Sequence, residues 1–399
     1  MIPRFKPIVG KEEIKAAIAT PKNAVEQFEH AFAKKFETDH AVAFSYGRSA
    51  FYFLLKALKI EDAEIICPAY TCVVVPHVIV ETGNVPVFVD VQNTDGNLDW
   101  KLADQLVSAH TRAIIATSIW GHPVDLDAQR AFQEKYPDVM IIQDCAHSYA
   151  AEWQGTPVQN TGVAAIYGMN VSKIMHSIYG GMVTTGDPVI YESLKRFQFD
   201  ALNHNTFRRG LRKRAYLIGA AGAFSAPGYA LVHFLDSLGG MDRFVKYYDP
   251  ETIELPKDYL DAMSPPEAAV GLIQLGKYDN MVNARRKTAQ IYRHELGDID
   301  GLSFPEVCLD GSTFSHIVAS TTEREKIIKK GAKYGVEYGR LIEYAVPDLP
   351  VYKRLLPKQP DCPVASEIAS STINLPVSGY CPPKHISRVV EVTRKIFEE

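Results

Sequence analysis

Short apolar runs rich in β-branched residues recur through the first two hundred residues: His40–Phe44, Ile65–Pro68, Val85–Val89, Arg112–Thr117, Val139–Ile142 and Val163–Tyr167. Such runs are short for helices and apolar enough to be buried strands, and helix-patterned segments alternate with them. That alternation constrains the chain to a mostly parallel sheet with helices on both faces, because parallel neighbours need a crossover and the crossover packs back on the sheet. Ligands of such sheets sit beyond the carboxyl ends of the strands. The turn at Gly47, the loop at Trp120, Asp144 and Lys173 all fall on that edge.

The run at Val139 closes on Gln143-Asp144-Cys145-Ala146-His147-Ser148, so an acid stands where a strand leaves the sheet. Lys173 follows the next apolar run and precedes Gly180-Gly181. Pyridoxal phosphate (PLP) needs that trio: a lysine for the Schiff base, and a carboxylate that keeps the pyridine nitrogen protonated. The glycines admit backbone where a side chain would collide. Singly, each residue has a plainer reading, since few loop lysines hold a cofactor and an Asp ending a strand is more often a turn former. The order and spacing carry the signal.

Upstream, a strand leads into Ser45-Tyr46-Gly47-Arg48-Ser49-Ala50 and then a helix through Phe51, Leu54, Leu55 and Leu58. A helix start after a glycine turn suits an anion, because the first amides have no internal partners and the dipole favours negative charge. The plainer reading is a helix N-cap alone.

The chain of 399 residues, 46% hydrophobic and 23% charged, has the make-up of a globular protein of about two domains, which excludes disorder and fibre. A net charge of −4 gives no basis for a nucleic-acid surface. Six scattered cysteines without a C-x-x-C pair point to reduced thiols, with no metal site and no disulfide framework. The N-terminus lacks a signal-peptide pattern, and the reading is cytoplasmic.

Asp144-Cys145-Ala146-His147, Lys173 and Gly180-Gly181 resemble the motif frame of the DegT/DnrJ/EryC1/StrS sugar aminotransferases. Pro68-Ala69-Tyr70-Thr71, Gly83 through Asp90, Trp120-Gly121-His122-Pro123-Val124-Asp125 and Ile373-Asn374-Leu375-Pro376 are similar to that family's other motifs. The resemblance implies PLP fold type I, an α/β large domain over 1–257 with a mostly parallel seven-stranded-type sheet between helices, and a smaller C-terminal α/β domain over 258–399. It implies Lys173 as the catalytic lysine, and Asp144, His147, Gly47, Arg48, Ser49, Tyr70 and Asn170 as cofactor-binding residues. It further implies a nucleotide-linked keto sugar as acceptor, glutamate as amino donor, and a homodimer. The other readings are a PLP-dependent sugar dehydratase, whose kind usually carries histidine in place of Lys173, and a non-catalytic PLP-binding protein of the same fold.

The family pattern is broken at several points. Arg48 replaces a threonine at the phosphate turn, and Cys72 replaces an aromatic that stacks on the cofactor, with Tyr70 as its substitute. Gly168 replaces a serine, and Tyr179 an acid. Leu260 and Ala262 stand where relatives place an asparagine that reaches the neighbouring subunit's phosphate and an arginine; Asn203 or Asn205 would serve instead. A histidine is missing near Leu349. The stretch 199–257 is divergent, with the basic cluster Arg208–Arg214 and an apolar run from Tyr216 to Leu235. It reads as an insertion at the dimer interface or substrate mouth, with peripheral membrane contact through 208–235 as the other reading.

Overall fold

A computed structural model describes residues 1–203, 207–225, 228–229 and 248–399. Asn205, and residues 226–227 and 230–235 of the expected membrane-contacting run, lie outside the described residues.

Seven strands form the central sheet: β1 (His40–Phe44), β2 (Glu64–Pro68), β3 (Val85–Val89), β4 (Thr111–Thr117), β5 (Met140–Asp144), β6 (Ala164–Gly168) and β7 (Gly181–Thr185). Their order is β1-β7-β6-β5-β4-β2-β3. All pairings are parallel except those of β7, which runs antiparallel to both β1 and β6. The expected α/β architecture with a mostly parallel sheet is therefore the one observed. Alternate residues serve opposite faces: Ile65, Ile115, Ile142 and Ile166 enter one apolar cluster, while Ile66, Ile114, Ile141 and Tyr167 enter another. Burial on both sides explains why these strands read as continuous apolar runs.

The helices that bear on the site are α1 (Lys11–Ile18), α2 (Ala24–Lys35), α3 (Gly47–Ala57), α4 (Leu126–Lys135), α5 (Phe207–Ala223), α6 (Pro265–Leu296) and α7 (Pro383–Glu398). The start of α6 is held by a capping box, in which Glu267 Oε2 accepts from Ser264 N–H at 2.9 Å and from Ser264 Oγ at 2.7 Å. Its first half packs beside α1 and α2; Tyr292 and Leu296, near its end, join a third cluster with α7. That cluster also covers β8 (Ile317–Ser320) and β9 (Thr372–Leu375), which pair antiparallel. Strand β8 begins only at Ile317, because Phe314 has φ 50° and the carbonyls of Phe314 and Ser315 accept from buried Arg285 at 3.1 and 2.8 Å. Among the described residues, no helix is long and apolar enough to cross a membrane.

Candidate active site

Register places the chemistry on one edge. Asp144 is the last residue of β5 and lies opposite Thr117 on β4 and Ile166 on β6. Gly181, at the start of β7, pairs with Phe44 at the end of β1 and with Gly168 at the end of β6. Reversal of β7 is what brings Gly180-Gly181 back to the carboxyl edge, beside the Gly47 turn and the loop carrying Lys173.

Asp144 is 4% exposed, and burial pushes its carboxyl pKa up. The amide of Ala146, donating to Oδ1 at 3.0 Å, and the charge of Lys173 oppose that rise and favour the carboxylate. Lys173 shows the converse: burial pulls its pKa down, while Cys72 and Asp144 hold it up. Burial thus favours a neutral, nucleophilic amine, and the charge of Asp144 opposes it.

Backbone packs on backbone at the phosphate turn. A Cβ on Gly47 would lie 2.9 Å from Gly168 Cα, and one on Gly181 would lie 2.1 Å from Tyr46 O and 2.5 Å from Gly47 N. These glycines hold the start of α3 against the ends of β6 and β7. We expect Gly181→Ala to destabilise the fold by about 1–3 kcal/mol, as overpacking does, read as a fall in melting temperature. The amides of Arg48 and Ser49 precede the first intrahelical bond, Ala50 N–H to Tyr46 O at 3.0 Å. The Ser49 hydroxyl donates to Tyr259 O at 2.5 Å, so that side chain ties the turn to the segment before α6. The Arg48 guanidinium lies 5.8 Å from the centre of the Tyr46 ring.

His147 accepts from Trp120 N–H on Nδ1 at 3.4 Å, and burial first, then Lys173 and His316, keep it neutral, with its pKa well below the usual histidine value. Its ring centre is 5.1 Å from that of His316, a residue the motifs did not single out. Gly121 makes this meeting possible. At φ 93°, a Cβ there would lie 2.7 Å from Ser315 N and 2.8 Å from Phe314 N, so only glycine admits the loop that delivers His316. Asp125 of the same motif caps α4, accepting from the amides of Asp127 and Ala128 at 2.9 and 3.0 Å.

The loop after Lys173 is tied down by His176, which is 1% exposed. Its Nε2–H donates to Ile8 O at 3.1 Å and its Nδ1 accepts from Ile178 N–H at 3.3 Å. The second bond requires the neutral ring, since a protonated Nδ1 cannot accept, and burial lowers the pKa to about 4. Unfolded, the ring takes up a proton near the ordinary histidine pKa, so in the window between the two values the unfolded state binds more protons and stability falls with pH. We expect this residue to contribute a loss of about 1–2 kcal/mol between pH 7 and pH 5. His176→Gln should flatten that part of the stability-versus-pH curve measured by denaturant melts.

The remaining candidates take varied places. Asn170 is exposed; its Oδ1 accepts from the amide and hydroxyl of Ser172, and its carbonyl accepts from Lys173 N–H at 3.0 Å, so it shapes the lysine turn. Tyr70 is fully buried, edge-on to Trp120 with ring centres 5.6 Å apart. Cys72 lies close enough to Lys173 to influence it, and Tyr344 reaches the same loop from far along the chain, accepting from Val73 N–H at 3.0 Å. Tyr248, in the divergent stretch, packs on Tyr344 with centres 5.0 Å apart. Asn203 Nδ2 donates to Asp261 Oδ1 at 3.2 Å within the same chain.

The residues present fit PLP. A buried acid closes the strand beside the one that leads to the lysine, a glycine cradle packs against a helix start, and Thr71 Oγ1 on a loop of this edge is buried without a hydrogen-bond partner. Comparison with known proteins agrees. GDP-perosamine synthase of Escherichia coli O157:H7 is 25% identical over 391 residues, covering 94% of this chain and 93% of that protein. The crystal structure of Streptomyces venezuelae DesV matches with TM-score 0.78 at 24% identity over 97% of this chain and 95% of its own. A GDP-4-keto-6-deoxymannose-3-dehydratase, ColD, matches with TM-score 0.78 at 18% identity over 98% of this chain and all of its own. Those two structures speak to the fold. A family model matches residues 11–224 and 259–394, and the chain belongs to the DegT/DnrJ/EryC1/StrS aminotransferase family.

Proposed function

We propose that this protein is a PLP-dependent aminotransferase moving an amino group from a donor, glutamate, to a keto group on a nucleotide-linked sugar. The observation that carries the reading is that Asp144 closes β5 beside β6, the strand whose following turn delivers Lys173. PLP, when bound, supplies an electron sink for the charge that develops at the reacting carbon. Asp144 would face the pyridine nitrogen as a carboxylate, and the amides of Gly47, Arg48 and Ser49 would receive the phosphate. Lys173 would be the residue that holds the cofactor, and its freed Nζ would take up and return a proton as general base and acid. His147, held neutral, bounds the site beside Trp120. We also infer a homodimer, which light scattering on the purified protein tests.

ColD shows that the same fold accommodates a dehydratase. Lys173 separates the two readings, because the lysine, unlike histidine, can form the covalent link. Glutamate added to the PLP-loaded protein should convert the bound cofactor to its amine form, and a panel of nucleotide keto sugars should then restore the starting absorbance with an amino sugar detected by mass. A bound cofactor that no amine converts would instead support the binding-only reading.

A further inference from the structure

The basic cluster Arg208–Arg214, which falls within the family-matched residues 11–224, is used inside the molecule. Arg209 pairs with Asp261 at 3.0 Å, and Arg214 Nε donates to Ala17 O at 2.6 Å. Lys213 goes deepest. Its ammonium lies 3.0 Å from Glu267 Oε1, a carboxylate whose side chain is 1% exposed. The same ammonium stands 4.3 Å from the centre of the Tyr179 ring and 5.2 Å from that of Tyr46, two rings set edge to face 5.6 Å apart.

Those tyrosines are the residues immediately before the glycines of the cradle. Tyr46 precedes Gly47, and Tyr179 precedes Gly180-Gly181; Gly180 N–H donates to Ser45 O at 2.8 Å, joining the two turns. Tyr46 is further fixed by its hydroxyl, which donates to Asp258 Oδ2 at 2.8 Å. The residue before Tyr179 is held as well. Ile178 has φ 69°, an unfavourable conformation for a β-branched residue, and its side chain is buried against Ala17 of α1, Leu217 of α5 and Val270 of α6. Thus α5 grips both backbone turns, through Leu217 on one side and Lys213 on the other. Had Lys213 served only to neutralise Glu267, nothing would require its ammonium to bear on both rings.

We propose that Lys213 is a positioning residue for the cofactor phosphate: by pinning the Tyr46 and Tyr179 rings it sets the direction of the amides at the start of α3. This rests on the PLP reading above. Gly168, Leu260 and Ala262 carry no polar side chain, and the Ser49 hydroxyl is committed to Tyr259 O. The backbone amides then carry more of the phosphate binding, and their orientation matters more.

The test is PLP titration of the full-length protein, followed by absorbance, with melting temperature in parallel. Lys213→Met alone leaves a buried carboxylate unpaired, so the informative variant is Lys213→Met/Glu267→Gln, which removes both charges and keeps a capping-box residue at the start of α6. Tyr179→Leu removes one ring from under the ammonium without disturbing the ion pair. For both we expect PLP dissociation constants raised about tenfold, with turnover at saturating cofactor within about twofold of the parent, and Lys213→Arg close to the parent in affinity. Parent-like PLP affinity in either variant, with only a lowered melting temperature, would make Lys213 a structural brace and overturn the proposal. Failure of the unaltered protein to take up PLP would overturn the functional reading instead.

Discussion

Replacing Lys173 with alanine is expected to lower amino transfer by at least about 10⁴-fold, since it removes both the covalent anchor and the group that carries the proton. The fold should survive, because the loss of Lys173 relieves its own desolvation even as it removes a charge that favours the buried Asp144 carboxylate. Melting temperature should therefore change little. Borohydride, which fixes a lysine-bound PLP to the chain, should leave the Lys173→Ala protein without added mass. A variant that keeps appreciable activity, or still becomes covalently labelled at the site, would show that another amine performs this role.

Asp144→Asn should lower activity by about 10²–10³-fold, in the range found when a preorganised electrostatic partner is removed. Asparagine keeps an oxygen to accept the Ala146 amide now held by Oδ1, so the strand end should keep its shape. What is lost is the negative charge. That charge also raises the proton affinity of Lys173, so its removal should move the lysine-governed limb of the pH–rate profile of the cofactor-free protein's reloading with PLP to lower pH. An unchanged profile would place the carboxylate outside electrostatic reach of the amine.

Much of this site was legible in the linear order of residues. Asp144 ends a strand because β5 is a buried apolar run, and Lys173 follows the next strand; adjacency of β5 and β6 brings them together. Trp120-Gly121 was visible as a motif, but its purpose was not, because the loop that Gly121 admits lies almost two hundred residues away. His316 belongs to no motif, and only the Arg285 bonds and the positive φ of Phe314 show that it stands ahead of β8. The cluster at Arg208–Arg214 could be read for sign and not for direction. On a helix, neighbours in sequence point around the axis, so Lys213 turns to Glu267 while Arg212 stays exposed.

Local chemistry along the chain established the strand alternation, the acid, the lysine and the glycine turns, since period, β-branching and backbone freedom are properties of short segments. Folding in three dimensions alone settled which distant groups come together: the reversal of β7, the arrival of His316, and the placing of Lys213 over two tyrosine rings. Those depend on strand register and helix docking, where contacts join residues far apart and no short stretch contains both partners.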